Sequence, residues 1–463
     1  MKKTLLINPA PLYAPTWGIQ YTLKSYLFTL FSFLKTNNMQ VDVLDLENEI
    51  GRPKNNKEAQ EFEKKAFQIL ARQEFDIAAI SCWTSLHYLG CIAIADMCKK
   101  INPDCTIVTG GYHPTAVPED FIFDNSPFDY IVQEEGELAL LEIIKSENQH
   151  KNNNMPEIVQ GQILDLNREL IKFHWKSYKY HKDIKMGTLY LSRGCPFKCS
   201  FCMERCKTHK WRSYTVDNAI KIIEELISQL DPDKIWIDDA CFGLNKVWRR
   251  EFLNRLIDKK IDKLFWAECR TDTLEREDIG LLRNMNFVID LGADTFSRRM
   301  LHTMNKTSNP DSYLYKSIEI MRCLNAYEVP YKVYLLFNHP GETYESYNET
   351  MNFIKDFSSK EQKFSGFFLG QNYKYFPGSY ISRRLSFFED KYGTVIKNKC
   401  WWKETGDHEK LSSANVPSKS VADNFGDNLD YWKEDLNAIN FENQQKRPEI
   451  ADLLFNKMNE DVL

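Results

Sequence analysis

Two stretches of this chain alternate short apolar runs with helical segments, and that alternation restricts the fold more than any other feature. In residues 1–146, Thr4–Asn8 is an apolar run stopped by Pro9, and Val41–Leu46 alternates at period two. Ile77–Ser81 and Thr106–Thr109 are short continuous apolar runs of the kind found in buried parallel strands. Tyr130–Val132 is a weaker fifth. Helical stretches lie near 20–37, 57–73 and 88–100. Strands alternating with helices predict an α/β fold with a doubly wound parallel sheet. Its ligand edge is then at the carboxyl ends of the strands.

A second alternation begins at residue 187 and runs to 376. Candidate strands are Thr188–Ser192, Lys234–Asp238, Leu264–Glu268, Phe287–Leu291, Lys332–Phe337 and Gly366–Leu369. The helix expected over 216–230 has an apolar face of Val216, Ala219, Ile220, Ile223, Ile227 and Leu230. Six β/α units make a partial (β/α)6 barrel, with its chemistry at the carboxyl ends of the strands. Residues 147–186 read as a linker, opening on a polar surface loop. Residues 377–463 read as a small irregular C-terminal region.

Composition excludes several classes. Lys+Arg is 60 against Asp+Glu 65, a net charge of −5 without a basic tail, which argues against nucleic acid. The basic and aromatic segment 172–182 is better read as a connector packing its aromatics than as a nucleic-acid platform. No run approaches the roughly 20 apolar residues of a membrane span. Residues 26–34 (YLFTLFSFL) read as a buried helix flanked by Lys24 and Lys35. The first residues read as a strand rather than a secretion signal, so a cytoplasmic location is expected.

Twelve cysteines in a reducing compartment do not suggest a disulfide framework. Eight are scattered and read as small buried hydrophobes. The other four crowd into one loop: Cys195, Cys199 and Cys202 at C-x-x-x-C-x-x-C spacing, then Cys206. Three thiolates on one loop can share an iron–sulfur cluster and leave one iron open. Cys206 as a fourth ligand, with His209 nearby, would instead suggest a zinc knuckle.

The C-x-x-x-C-x-aromatic-C pattern, with Phe201 as the aromatic, resembles the radical S-adenosylmethionine (SAM) signature. The lead-in Ser192-Arg193-Gly194-Cys195-Pro196 resembles the subgroup with an N-terminal cobalamin-binding domain. Later segments resemble that subgroup in the same order. They are Asp238-Asp239 with Phe242 and Asn245, then Trp266 with Arg270 and Asp272, then Gly292 with Asp294. Pro340-Gly341-Glu342-Thr343 and Pro377-Gly378-Ser379 follow. Asp294 stands where the subgroup has Glu. The resemblance covers roughly residues 1–380. It implies a [4Fe-4S] cluster on Cys195, Cys199 and Cys202, and SAM contacts from Phe201, Asp238, Asp239, Arg270 and Asp294.

The first domain then resembles a flavodoxin-like cobalamin-binding domain. Three strand-end loops are implied to bind cobalamin: Trp83-Thr84-Ser85, Gly110-Gly111 with His113, and Glu135-Gly136-Glu137. No D-x-H-x-x-G motif is present, so no histidine is expected on cobalt; His113 and His87 are expected to pack or hydrogen-bond. The resemblance implies a methyltransferase that uses a 5′-deoxyadenosyl radical and methylcobalamin on a carbon centre. The substrate would be a small molecule or peptide, and the electron donor a flavodoxin or ferredoxin. A non-methylating rearrangement, cyclisation or oxidation on the same scaffold is the alternative.

Overall fold

The computed structural model describes residues 2–13, 23–146, 155–168, 171–207, 210–361, 363–413, 415–416 and 418–457. The polar run 147–154 of the expected surface loop, residues 20–22 of the first helical stretch, and His209 lie outside them.

The N-terminal sheet has six strands: β1 (Thr4–Asn8), β2 (Val41–Asp45), β3 (Ile77–Ser81), β4 (Thr106–Gly110), β5 (Tyr130–Gln133) and β6 (Glu157–Gln160). All pair in parallel, in the order β2-β1-β3-β4-β5-β6. β1, β3 and β4 are almost wholly buried, as strands covered by helices on both faces must be. β6 falls inside the segment read as a linker. Its side chains are largely exposed, so it carries no apolar run, and only backbone pairing with β5 shows it to be a strand.

The partial barrel holds β7 (Met186–Leu189), β8 (Ser192–Arg193), β9 (Arg212–Ser213), β10 (Lys234–Ile237), β11 (Leu264–Arg270), β12 (Phe287–Asp294), β13 (Tyr331–Phe337) and β14 (Gly366–Asn372). Six of them form one parallel sheet, in the order β14-β13-β12-β11-β10-β7, while β8 and β9 form a small antiparallel pair. The first barrel strand was expected over Thr188–Ser192 and instead ends at Leu189. The Asp239 carboxylate takes the amides of Leu191 and Ser192 at 2.8 and 2.9 Å, which draws that stretch out of the sheet.

The helix Ser25–Thr36 is buried as expected, with Leu27, Phe28, Phe31 and Leu34 nearly inaccessible. The connector 172–182 packs its rings: Trp175 stacks on Phe173 at 4.5 Å, and Tyr178 meets Phe28 edge-on. The C-terminal region is more regular than expected. Its helix Lys433–Lys446 covers the open edge of the barrel, where the Asn440 side chain donates to Phe368 O and accepts from Phe368 N. A covered edge cannot pair with another chain. The short helix Pro448–Ala451 and Leu454 pack on Val288 and Phe367. One apolar core passes from Leu6 and Val108 through Phe28 and Trp175 to Ile223 and Leu291, so both sheets share it. Among the described residues, no helix is long and apolar enough to cross a membrane.

Candidate active site

The carboxyl ends of the two sheets face each other across one cleft. Ser81, Trp83, Gly110, Gly111, Glu135 and Glu137 line it from the N-terminal sheet, and Arg193, Gly194, Asp238, Asp239 and Glu268 from the barrel. Its floor is apolar, with Leu27, Ala79, Val108, Val132 and Leu140. A large ligand with an apolar body and a polar rim suits such a wall. Gly111 has φ +128°, and a Cβ there would lie 2.4 Å from Cys82 O. Only glycine fits this turn.

Ion pairs join the two walls. Arg193, beside β8, reaches Glu137 at 2.6 Å and Glu135 at 3.1 Å, and Arg212 also pairs with Glu135. Facing carboxylates hold the Arg193 guanidinium firmly protonated despite burial. Ser25 donates to Asp238, and Tyr112 to Glu204. Lys207 sits 3.3 Å from the Tyr112 ring centre and 5.0 Å from that of Trp83. Burial lowers its pKa.

Three residues expected on the cobalamin wall stand behind it. Ser85 Oγ is 2.8 Å from His113 Nδ1, and His113 Nε2 is 3.2 Å from Asp120 Oδ2. His113 is fully buried among Tyr88, Phe121 and Trp402, and burial lowers its pKa. Thr84 turns to His87 Nδ1 at 3.3 Å. Burial drives the His87 pKa down to about 4, so it packs neutral. No histidine lines the cleft among the described residues.

On the barrel side, Cys195, Cys199 and Cys202 are half-buried. Burial pushes the Cys195 thiol up to about 12, with Cys199 among the nearby charges adding to it. Cys202 is raised further by burial, then by Cys199 and Cys195. Cys199 thus lies near enough to act on both other thiols, an arrangement that suits a polynuclear group able to take up their charge. Arg270 Nη1 lies 3.7 Å from Cys199 Sγ and offers compensating charge. Among the described residues, no three His, Cys, Asp or Glu side chains are placed to hold a single ion. Cys206 turns away toward Tyr112 O at 3.9 Å.

The residues expected near SAM divide. Asp238 lines the cleft, its carboxyl pushed up to about 6 by burial. Asp239 spends its oxygens on Leu191 and Ser192, and burial raises it to about 7. Arg270 is held by Asp272 at 2.8 Å and by Lys306 O at 2.8 Å. Asp294, at φ +66° beside a bulge in β12, pairs with Lys306 at 2.5 Å. Phe201 packs edge-on to His339 outside the cleft wall. The sequence reading did not single out Arg193, Lys207, Arg212 or Glu268 as site residues. Each is an ordinary charged residue until the fold brings the two sheet edges together.

Residues 27–144 match the family model of the B12 binding domain, and residues 189–354 that of the radical SAM superfamily. The chain joins a B12 binding domain to a radical SAM domain. The cofactors of such a chain are cobalamin, SAM and a [4Fe-4S] cluster. The chain is 24% identical over 310 residues to an uncharacterized methyltransferase of Pyrococcus horikoshii, which covers 62% of this chain and 66% of that one. It is 22% identical over 307 residues to an anaerobic magnesium-protoporphyrin IX monomethyl ester cyclase of Rubrivivax gelatinosus, covering 58% and 54%. The matches thus span between half and two thirds of those relatives. Among solved structures it resembles the radical SAM methyltransferase TsrM of Kitasatospora setae, with TM-score 0.68, 15% identity and coverage of 95% and 89%. That likeness is one of fold.

Proposed function

We propose that this radical SAM enzyme methylates a carbon centre of a small molecule or peptide. The observation that carries the reading is a cleft between the two ligand edges, lined by the expected cobalamin wall on one side and, on the other, by Asp238 and by Gly194, the neighbour of Cys195. Cys195, Cys199 and Cys202 would hold the cluster. Arg270 would balance its charge and Asp238 would meet SAM, while the wall at Trp83, Gly110 and Gly111 would hold cobalamin. When bound, these groups supply hydrogen-atom abstraction from unactivated carbon and donation of a methyl group. The chain's own work is to position and to exclude water. Tyr26 stacks on Trp83 at 4.3 Å at the cleft wall, and the Arg193 and Arg212 ion pairs hold the walls together.

The methyltransferase relative supports methylation; the cyclase relative supports the non-methylating alternative. Anaerobic turnover with reductant, SAM and candidate substrates separates them. Methylation is expected to yield 5′-deoxyadenosine and S-adenosylhomocysteine in about equal amounts, with a product heavier by one methylene. 5′-Deoxyadenosine without S-adenosylhomocysteine would replace methylation with rearrangement, cyclisation or oxidation.

A further inference from the structure

Inside the barrel mouth lies a layer of charge that the proposed chemistry does not use. Parallel register sets Glu268 of β11 beside Asp290 of β12, and Asp290 beside Lys332 of β13. Asp238, assigned above to SAM, stands beside them, with Lys207 acting on it. Lys332 Nζ is already engaged, 3.3 Å from Asp290 Oδ2 and 4.3 Å from the Trp266 ring centre. Asp238 accepts from Ser25.

The Glu268 side chain has no hydrogen bond or ion pair among the described residues and opens into the cleft. Removal from bulk water, then Asp290 and Asp238, push its carboxyl up to about 8. Asp290 is only 1% exposed, and its carboxylate faces Lys332, Tyr334 and the Trp266 indole. The indole N–H of Trp236, stacked on Trp266 at 5.0 Å, lacks an acceptor among the described residues. Buried polar groups are otherwise paired almost without exception, so this set points to a ligand that completes it. A cation beside Glu268 would favour its ionised form and gain a charged partner, whereas an anion would meet Glu268 and Asp290.

We propose that Glu268, backed by Asp290 and the Trp266 ring, binds a protonated amine of the substrate. The inference rests on the reading above in taking the occupant to be the substrate. The full chain, reconstituted anaerobically with cluster and cobalamin, would be titrated calorimetrically with benzylamine, benzyl alcohol and benzoate. These probes share a shape and differ in charge. Benzylamine is expected to bind about tenfold tighter than the other two, a preference of one decade in Kd, and saturating SAM should not displace it. Glu268→Gln should erase the preference and Glu268→Asp should keep part of it, with circular dichroism checking the fold of both.

Equal binding of the three probes, no binding of benzylamine, displacement by SAM, or an unchanged preference in Glu268→Gln would each overturn the site. Should Glu268→Gln not fold, the wild-type ranking of the three probes decides alone. SAM cleavage to 5′-deoxyadenosine by the wild-type protein is measured in parallel. Cleavage without amine preference sinks this site and leaves the functional reading standing; amine preference without cleavage does the reverse.

Discussion

Single side chains in this protein divide by where their polar atoms go. Beyond burial, Cys199 raises the thiols of both Cys195 and Cys202, while the Cys206 thiol, raised by burial, answers to Lys207, Glu204 and Glu134 rather than to the other three. Alanine at any of the first three should therefore remove most of the roughly four irons per chain expected after anaerobic reconstitution. Cys206→Ala should retain them. Iron and sulfide analysis with electron paramagnetic resonance checks this, and loss of the cluster in Cys206→Ala alone would refute the three-thiolate assignment. His113 meets Ser85 at Nδ1 and has Asp120 3.2 Å from Nε2, behind the cleft wall. Bound cob(II)alamin should show no nitrogen superhyperfine splitting. A splitting that vanishes in His113→Ala would make His113 a cobalt ligand.

At the scale of elements, the turn after β13 shows how a motif can serve structure. Pro340-Gly341-Glu342-Thr343 resembles a family segment, yet Thr343 caps the helix Tyr344–Lys360, an ordinary capping role. Glu342 is buried, accepts from Asn338 N and from Tyr431 Oη at 2.6 Å, and so latches the C-terminal region to the barrel. Burial raises its carboxyl from 4.5 to about 7. A carboxyl raised on folding favours the protonated fold. Its contribution is therefore greatest below about pH 4.5 and is lost as pH rises through 7. Glu342→Gln should flatten the decline of stability between pH 5 and 8 by about 1–3 kcal/mol. Denaturant unfolding at several pH values checks this, and an unchanged slope would remove Glu342 from the account.

At the scale of the molecule, the two sheets act as one body because the core and the charges both cross between them. Arg193 holds Glu137 and Glu135 across the cleft. Arg193→Met leaves those carboxylates poorly paired and should cost about 3 kcal/mol. Removing Glu137 as well, in Arg193→Met with Glu137→Leu, should cost less than the sum of the two single changes. Strict additivity in that cycle would mean that the bridge does not couple the walls.

Some of this was determined locally and is legible in the chain itself. β1 and β3 occupy the residues that their apolar runs marked, and the helix Val216–Leu230 buries Val216, Ala219, Ile220 and Ile223 of its predicted face, with Ile222 and Leu226 besides and Ile227 and Leu230 only partly covered. Side-chain periodicity is a property of neighbours in sequence, and so is the cysteine spacing. Tertiary structure alone decided the rest. β6 has no apolar run and exists through its pairing with β5. Thr84, Ser85 and His113 sit on an expected loop but face inward, because Asp120 and Trp402 complete their surroundings from elsewhere in the chain. Glu268 and Arg193 gain meaning only where strands distant in sequence come into register or two sheet edges meet. Burial and pairing set what a charged side chain does, and neither is a local property of the sequence.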